Sequence, residues 1–430
     1  EMLAVLNSDA ELPAKTAACR ELAFAGTAEA IPVLAGLLAD KKLSHSARIA
    51  LEAVPGPAAG AALRKALNSL QGAQLVGVIN SIGVRRDAKA EPKLTQLLSA
   101  PDKEVASAAA VALGRIGTPP AGKALETALA GTRADTRPAV LEGSLNCAEA
   151  LAASGQKNQA LRLFGQLNSA DMPVHVREAA LRGTLLASRP GNLPLLIKQL
   201  HSPDLPVFRV ALWVFQRDFP GADVTRTVAA ELPRLPAQRR PLLVEALGGR
   251  GDPAGLPALI AALAKGEKDV RLAAIRSLSQ IGGDPVVPPL VEALIDPEAA
   301  VAGAARASLL RLRSPAVDPA LIAKIGDPKA KLRVTAMGLT AQRQVKAALP
   351  TLLKILREPE PPVVRVAALN ALRSLAGISE ITPLVQALAN AKEPAELKAA
   401  EGALVTVCGR CGPAAAEPLQ KALAGAPEGS

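Results

Sequence analysis

The residues able to do chemistry are few and far apart. Cys408-Gly409-Arg410-Cys411 forms a C-x-x-C. A zinc site needs a second pair or histidines at set spacing, and none lies nearby. Covalent haem attachment needs His directly after the second Cys, where Gly412 stands. A redox site of the thioredoxin type puts its first Cys at a helix N-terminus after a strand, whereas this pair falls at the end of a helix. Cys408 and Cys411 are therefore read as structural thiols or a local disulfide, with a redox pair and a metal site as the alternatives. Cys19 and Cys147 read as small core residues. The three histidines, His45, His175 and His201, stand more than twenty-five residues apart. There is no P-loop, no dinucleotide fingerprint and no G-x-S-x-G. The sequence assigns no catalytic residue, no metal and no cofactor.

The elements that carry these residues are repeats. Val176-Arg177-Glu178-Ala179-Ala180-Leu181 is echoed by Val270-Arg271-Leu272-Ala273-Ala274-Ile275 and by Val364-Arg365-Val366-Ala367-Ala368-Leu369. With the Arg as marker, the rungs are Arg177, Arg209, Arg240, Arg271, Ala302, Arg333, Arg365 and Lys398, in steps of 31 to 33 residues. Going back, the register continues through Arg137, Ala106, Gly77, Arg48 and Lys15, with the Arg137 repeat about eight residues longer. That makes thirteen rungs. Seventeen residues after many markers stands a proline: Pro32, Pro194, Pro257, Pro288, Pro319 and Pro350. Proline suits the first helical turn, where its missing N–H has no partner to lose. Each unit is thus predicted as helix A bearing the marker, a Gly/Asp turn, and helix B opened by Pro, with leucines at i and i+4 on one face. Such a unit buries that face only by stacking on its neighbours.

Composition agrees. Of 430 residues, 49% are hydrophobic but 1% aromatic, with no Tyr. One compact core rarely exceeds roughly 250–300 residues, a limit repeat arrays escape. No β-branched, aromatic-rich strand is visible. No apolar run reaches the roughly 18 residues of a membrane span. The expected fold is all-α, an α-α superhelix of about thirteen two-helix repeats over residues 13–424. Residues 1–12 read as a partial repeat: Met2-Leu3-Ala4-Val5-Leu6 looks like a helix B without its helix A, and Glu1 precedes Met2. Both suggest a chain that continues upstream in its native form. Residues 425–430 read as a flexible tail.

The unit resembles the HEAT repeat, especially the short bacterial form known from phycobilisome lyases. Leu43-Ser44-His45-Ser46-Ala47-Arg48 also looks like HEAT segments of large exported bacterial proteins, which favours export over the cytoplasm. The resemblance implies Asp and Arg side chains bridging adjacent repeats, and a concave wall lined by helix B. It is nearly silent about function.

Asp269 before Arg271, Asp204 before Arg209 and Asp327 before Arg333 read as helix-capping acids. The net charge of +11 favours an acidic partner. The excess lies in scattered groups: Arg85-Arg86, Arg234 with Arg239 and Arg240, and Arg306 with Arg311 and Arg313. With no long basic block and few aromatics for base stacking, nucleic acid is disfavoured. Phe208, Leu212, Phe215 and Phe219 share a helical face and read as core; Trp213 points away and is the best single candidate for a contact residue. The outward helix-B positions Gln96, Glu126, Arg162, Lys198, Glu292, Lys354 and Gln386 form a mixed polar row. The leading expectation is a non-catalytic scaffold gripping a protein partner along that row. A bilin-lyase-like enzyme and a nucleic-acid binder are the alternatives.

Overall fold

In the computed structural model, residues 1–131, 133–188 and 192–424 are described, and 79% of the chain is helical. The expected all-α class is what the structure shows; the described residues contain no strand. The tail expected at 425–430 lies outside the described residues. The chain divides into two compact units, Glu1–Val214 and Phe215–Ser430, each a stack of helical hairpins.

All thirteen markers fall within the first two turns of separate helices A, from Lys15 in Leu12–Ala25 to Lys398 in Pro394–Cys411. Part of the extra length of the Arg137 repeat lies in its helix A, Arg137–Ala153, at 17 residues where most have 13 or 14. Pro32, Pro194, Pro257, Pro288 and Pro350 sit at the first or second positions of their helices B. A short 3-10 turn feeds many of these helices, as at Pro253–Gly255 before Leu256–Lys265. Gly251 ends the preceding helix A at φ 69°, a left-handed cap that glycine adopts without strain.

Leucine fills the space between hairpins, and small residues set how close they come. A Cβ on Gly114 would lie 2.4 Å from the carbonyl oxygen of Gly143, and one on Gly143 would lie 2.3 Å from that of Ala110. Helices Lys103–Ile116 and Arg137–Ala153 thus touch backbone to backbone. Phe208, Leu212, Phe215 and Phe219 are buried, as their shared face requires, and so are Cys19 and Cys147.

Candidate functional site

Several marker arginines join their hairpin to the next. Arg177 donates to Asp204 at 2.9 Å, Arg271 to Asp296 at 2.7 Å, and Arg365 to Glu396 at 2.6 Å. Arg333 forks both oxygens of Glu360, at 2.7 and 2.6 Å. That fork holds the Glu360 carboxyl below its ordinary range and raises the Arg333 guanidinium. Each acid opens the following helix A, 25 to 31 residues on.

These are the bridges between adjacent repeats that the resemblance implies. Asp204 serves Arg177 of the preceding hairpin, not Arg209. Asp327 accepts from the Lys329 amide at 3.0 Å and from Lys324, while Arg333 turns to Glu360. Asp269 makes no cap bond but stands in the first turn of its helix, where it favours the dipole; Glu267 is the N-cap and makes no side-chain cap bond. An acid can reach a carbonyl-side guanidinium across a stacking interface as readily as an amide in its own turn, and linear spacing does not separate the two.

A second arginine ladder escaped sequence reasoning. Arg85 donates to the carbonyls of Leu51, Glu52, Val54 and Gly56. Arg343 does the same for Leu309, Leu310 and Leu312, and Arg410 for Arg373, Ser374 and Ala376. Arg250 bonds the carbonyls of Phe215 and Gly221 and lies over the Phe215 ring at 4.8 Å. Each plugs the exposed carbonyl end of the preceding helix A, where a cation also complements the helix dipole. Burial pulls the Arg250 guanidinium below its ordinary value, and Asp252 acts against this. The available signal was register: Arg250 and Arg343 stand three rungs apart at equivalent positions.

The mixed polar row lies on helices B throughout. In the first unit Gln96, Arg162 and Lys198 are exposed and Glu126 is half-buried; in the second, Glu292, Lys354 and Gln386 are exposed. The row is partly paired with itself and its surroundings. Arg162 reaches Glu126 at 3.9 Å, Lys354 reaches Glu358 at 3.6 Å, and Glu292 accepts from Lys324 at 2.7 Å. That contact with Glu292, followed by Asp327, raises the Lys324 ammonium pKa. Clefts open between successive helices B. One of 680 Å³ runs between Glu91–Leu97 and Pro119–Gly131, edged by Lys123 and Arg133. One of 330 Å³ holds Glu126 and Arg162. One of 400 Å³ in the second unit has Leu232, Pro233 and Ala258 in its walls and Lys265 at its edge.

Trp213 is half exposed, as its helical phase requires, but it stands on a helix A, Leu205–Asp218. The Arg182 guanidinium lies 4.7 Å from its ring centroid. Trp213 and the helix-B row therefore belong to different layers of the hairpin stack.

Cys408 and Cys411 are free thiols, half-buried in the last turns of Pro394–Cys411 and packed against the core of the second unit. Burial, then the neighbouring Cys411, pushes the Cys408 thiol up. His45 and His175 open helices A, and the Arg48 guanidinium lies 3.0 Å from His45 Nδ1. His201 instead follows a helix B, as C-cap of Leu193–Leu200. Among the described residues no group of three His, Cys, Asp or Glu could hold a metal ion, and no helix is long and apolar enough to cross a membrane.

Hairpins of similar length, many joined to the next by an ion pair, define a helical-hairpin repeat protein. Residues 63–146 and 236–310 match the family model of HEAT repeats, and in those stretches the unit read from the sequence is a HEAT repeat. No curated protein matches the chain. Similar solved structures include one describing how Kap95p binding induces the switch loops of RanGDP, at 14% identity over 99% of this chain and 69% of that one, TM-score 0.44. Others are Kap121p bound to Ste12p, at 12% identity over 98% and 54%, TM-score 0.39, and human deoxyhypusine hydroxylase, at 21% over 66% and 95%, TM-score 0.26.

Proposed function

We propose that the chain is a non-catalytic scaffold that binds protein partners along the exposed faces of its helices B. The observation that supports this best is the set of clefts between successive helices B, found in both units. Their volumes, 330 to 680 Å³, can seat side chains of an extended segment, and Glu126 and Arg162 of the polar row line one of them. Lys123 and Arg133 line the 680 Å³ cleft, whose lining holds no acid, and they favour an acidic segment there. Arg333, Arg343 and Arg365 are spent on holding hairpins together and are not counted among the partner-binding groups.

The test is affinity capture with native protein, with Lys123→Glu/Arg133→Glu, and with Trp213→Ala, each at low and raised salt. The expected result is a defined protein set lost from the charge-reversed variant and weakened by salt. Trp213→Ala reports separately on whether the helix-A layer takes part. A set retained equally by the charge-reversed variant refutes helix-B recognition.

A further inference from the structure

Three of the basic groups visible in the sequence have different fates. Arg85 is spent on carbonyls, and Arg234 pairs with Glu231 at 2.7 Å. Arg306, Arg311 and Arg313 are exposed and have no ion-pair or hydrogen-bond partner among the described residues. Arg311 and Arg313 do not simply face solvent. They line a 480 Å³ cavity with Arg276, Ser279, Gln280 and Ser308. It is built from helices A Lys268–Ile281 and Ala299–Arg311 and the turn after the second, in a different layer from the helix-B clefts.

No carboxylate lines this cavity. The acids of the flanking elements are engaged: Glu245 accepts from Arg276 at 2.6 Å, Asp284 from Ser314 at 2.6 Å, and Asp318 from Arg343 at 2.6 Å. A helix C-terminus normally repels anions. Here Arg343 occupies the carbonyls of Leu309, Leu310 and Leu312, which removes that obstacle at the end of Ala299–Arg311. Ser279 donates inward to the Ile275 carbonyl at 2.7 Å, so the guanidiniums, Gln280 and Ser308 remain as donors toward the cavity.

We propose that this cavity binds a phosphate monoester carried on a partner peptide. Planar guanidiniums fork onto phosphoryl oxygens, and two that lack a carboxylate gain most from a dianion. The volume falls within the usual range of ligand pockets, roughly 300–1,000 Å³, and so has room for the side chain that bears the phosphate. No aromatic lines it, so it offers no aromatic platform for a nucleic-acid base.

The test is fluorescence anisotropy with a labelled glycine–serine peptide carrying one central phosphoserine. Its unphosphorylated form, inorganic phosphate and a single-stranded oligonucleotide serve as competitors. The phosphopeptide is expected to bind and the unphosphorylated peptide not to compete. Arg311→Ala/Arg313→Ala should lose roughly tenfold or more in affinity, as expected for two charge-assisted contacts at a partly exposed site. Arg311→Lys/Arg313→Lys should recover only part of this, because a lysine cannot fork. Arg306→Ala is the control, since Arg306 lines a different cavity on the same helix. Equal binding by native and Arg311→Ala/Arg313→Ala overturns the site. An equal loss in Arg306→Ala reduces it to diffuse charge and overturns it too. Binding of inorganic phosphate without the phosphopeptide, or an oligonucleotide that outcompetes it, overturns the assignment of the ligand.

Discussion

Removing Arg333 should destabilise the second unit by about 3 kcal/mol, the order found when one member of a buried ion pair is lost. The side chains of Arg333 and Glu360 are only 14% and 16% exposed. Arg333→Ala therefore strands a largely desolvated carboxylate. It also frees the Ile325 carbonyl, which accepts from Arg333 Nε at 2.8 Å. Arg333→Met/Glu360→Leu should recover most of the loss, because an apolar pair of similar volume has no charge left to desolvate. The readings are urea unfolding by circular dichroism and hydrogen exchange over the two hairpins, since repeat arrays need not unfold as one unit. The pH dependence has a definite sign. Glu360's pKa is depressed in the fold, so its stabilising contribution is complete above the unfolded carboxylate value of about 4.3 and is lost as pH falls through the lower folded value. The gap between native protein and Arg333→Ala should close over that acid range, while the Met/Leu variant should gain on native. An Arg333→Ala variant within about 0.5 kcal/mol of native, or a double-mutant cycle that is additive, refutes the bridge as a stabilising contact.

Gly143→Ala should cost about 1–3 kcal/mol, because the added methyl meets the Ala110 carbonyl, while Gly303→Ala, with nothing within 4 Å, should gain up to about 1 kcal/mol; thermal melts distinguish them. Arg250→Ala should lower the melting temperature, and Arg250→Lys should not restore it, because an ammonium cannot reach the carbonyls of Phe215 and Gly221 while keeping the ring contact. Equal melting of native and Arg250→Lys would show the plug to be a point charge. Burial, and behind it Glu91, pushes the Cys147 thiol up to about 12; with buried Cys19 it should resist iodoacetamide at pH 8 until urea unfolds the chain, as peptide mass mapping would show.

The fold was legible because one signal was written thirteen times. A marker in each helix A and a proline opening helix B fixed the hairpins even where the marker had become Ala106, Gly77 or Ala302. Side-chain partners were less legible. The sequence places Asp327 beside Arg333, but stacking offers Arg333 a two-pronged partner in Glu360, and geometry prevails over proximity. Trp213's exposure followed from helical phase, whereas its layer depended on which of two helices carried it. The plug arginines looked like surplus charge because their acceptors are backbone carbonyls, which carry no residue identity. The unpaired set of Arg306, Arg311 and Arg313 could be told from the spent ones only in three dimensions.

The plugs also make some places to cut the chain better than others. A shortened array ending at residue 342 would leave the carbonyls of Leu309, Leu310 and Leu312 without the guanidinium that serves them, because that group belongs to the next residue. Moving the stop to a point after Arg343 retains it, and the same holds at Arg250 and Arg410. Anyone trimming or splicing such a protein should therefore count from these arginines rather than from the turns that appear to separate its units.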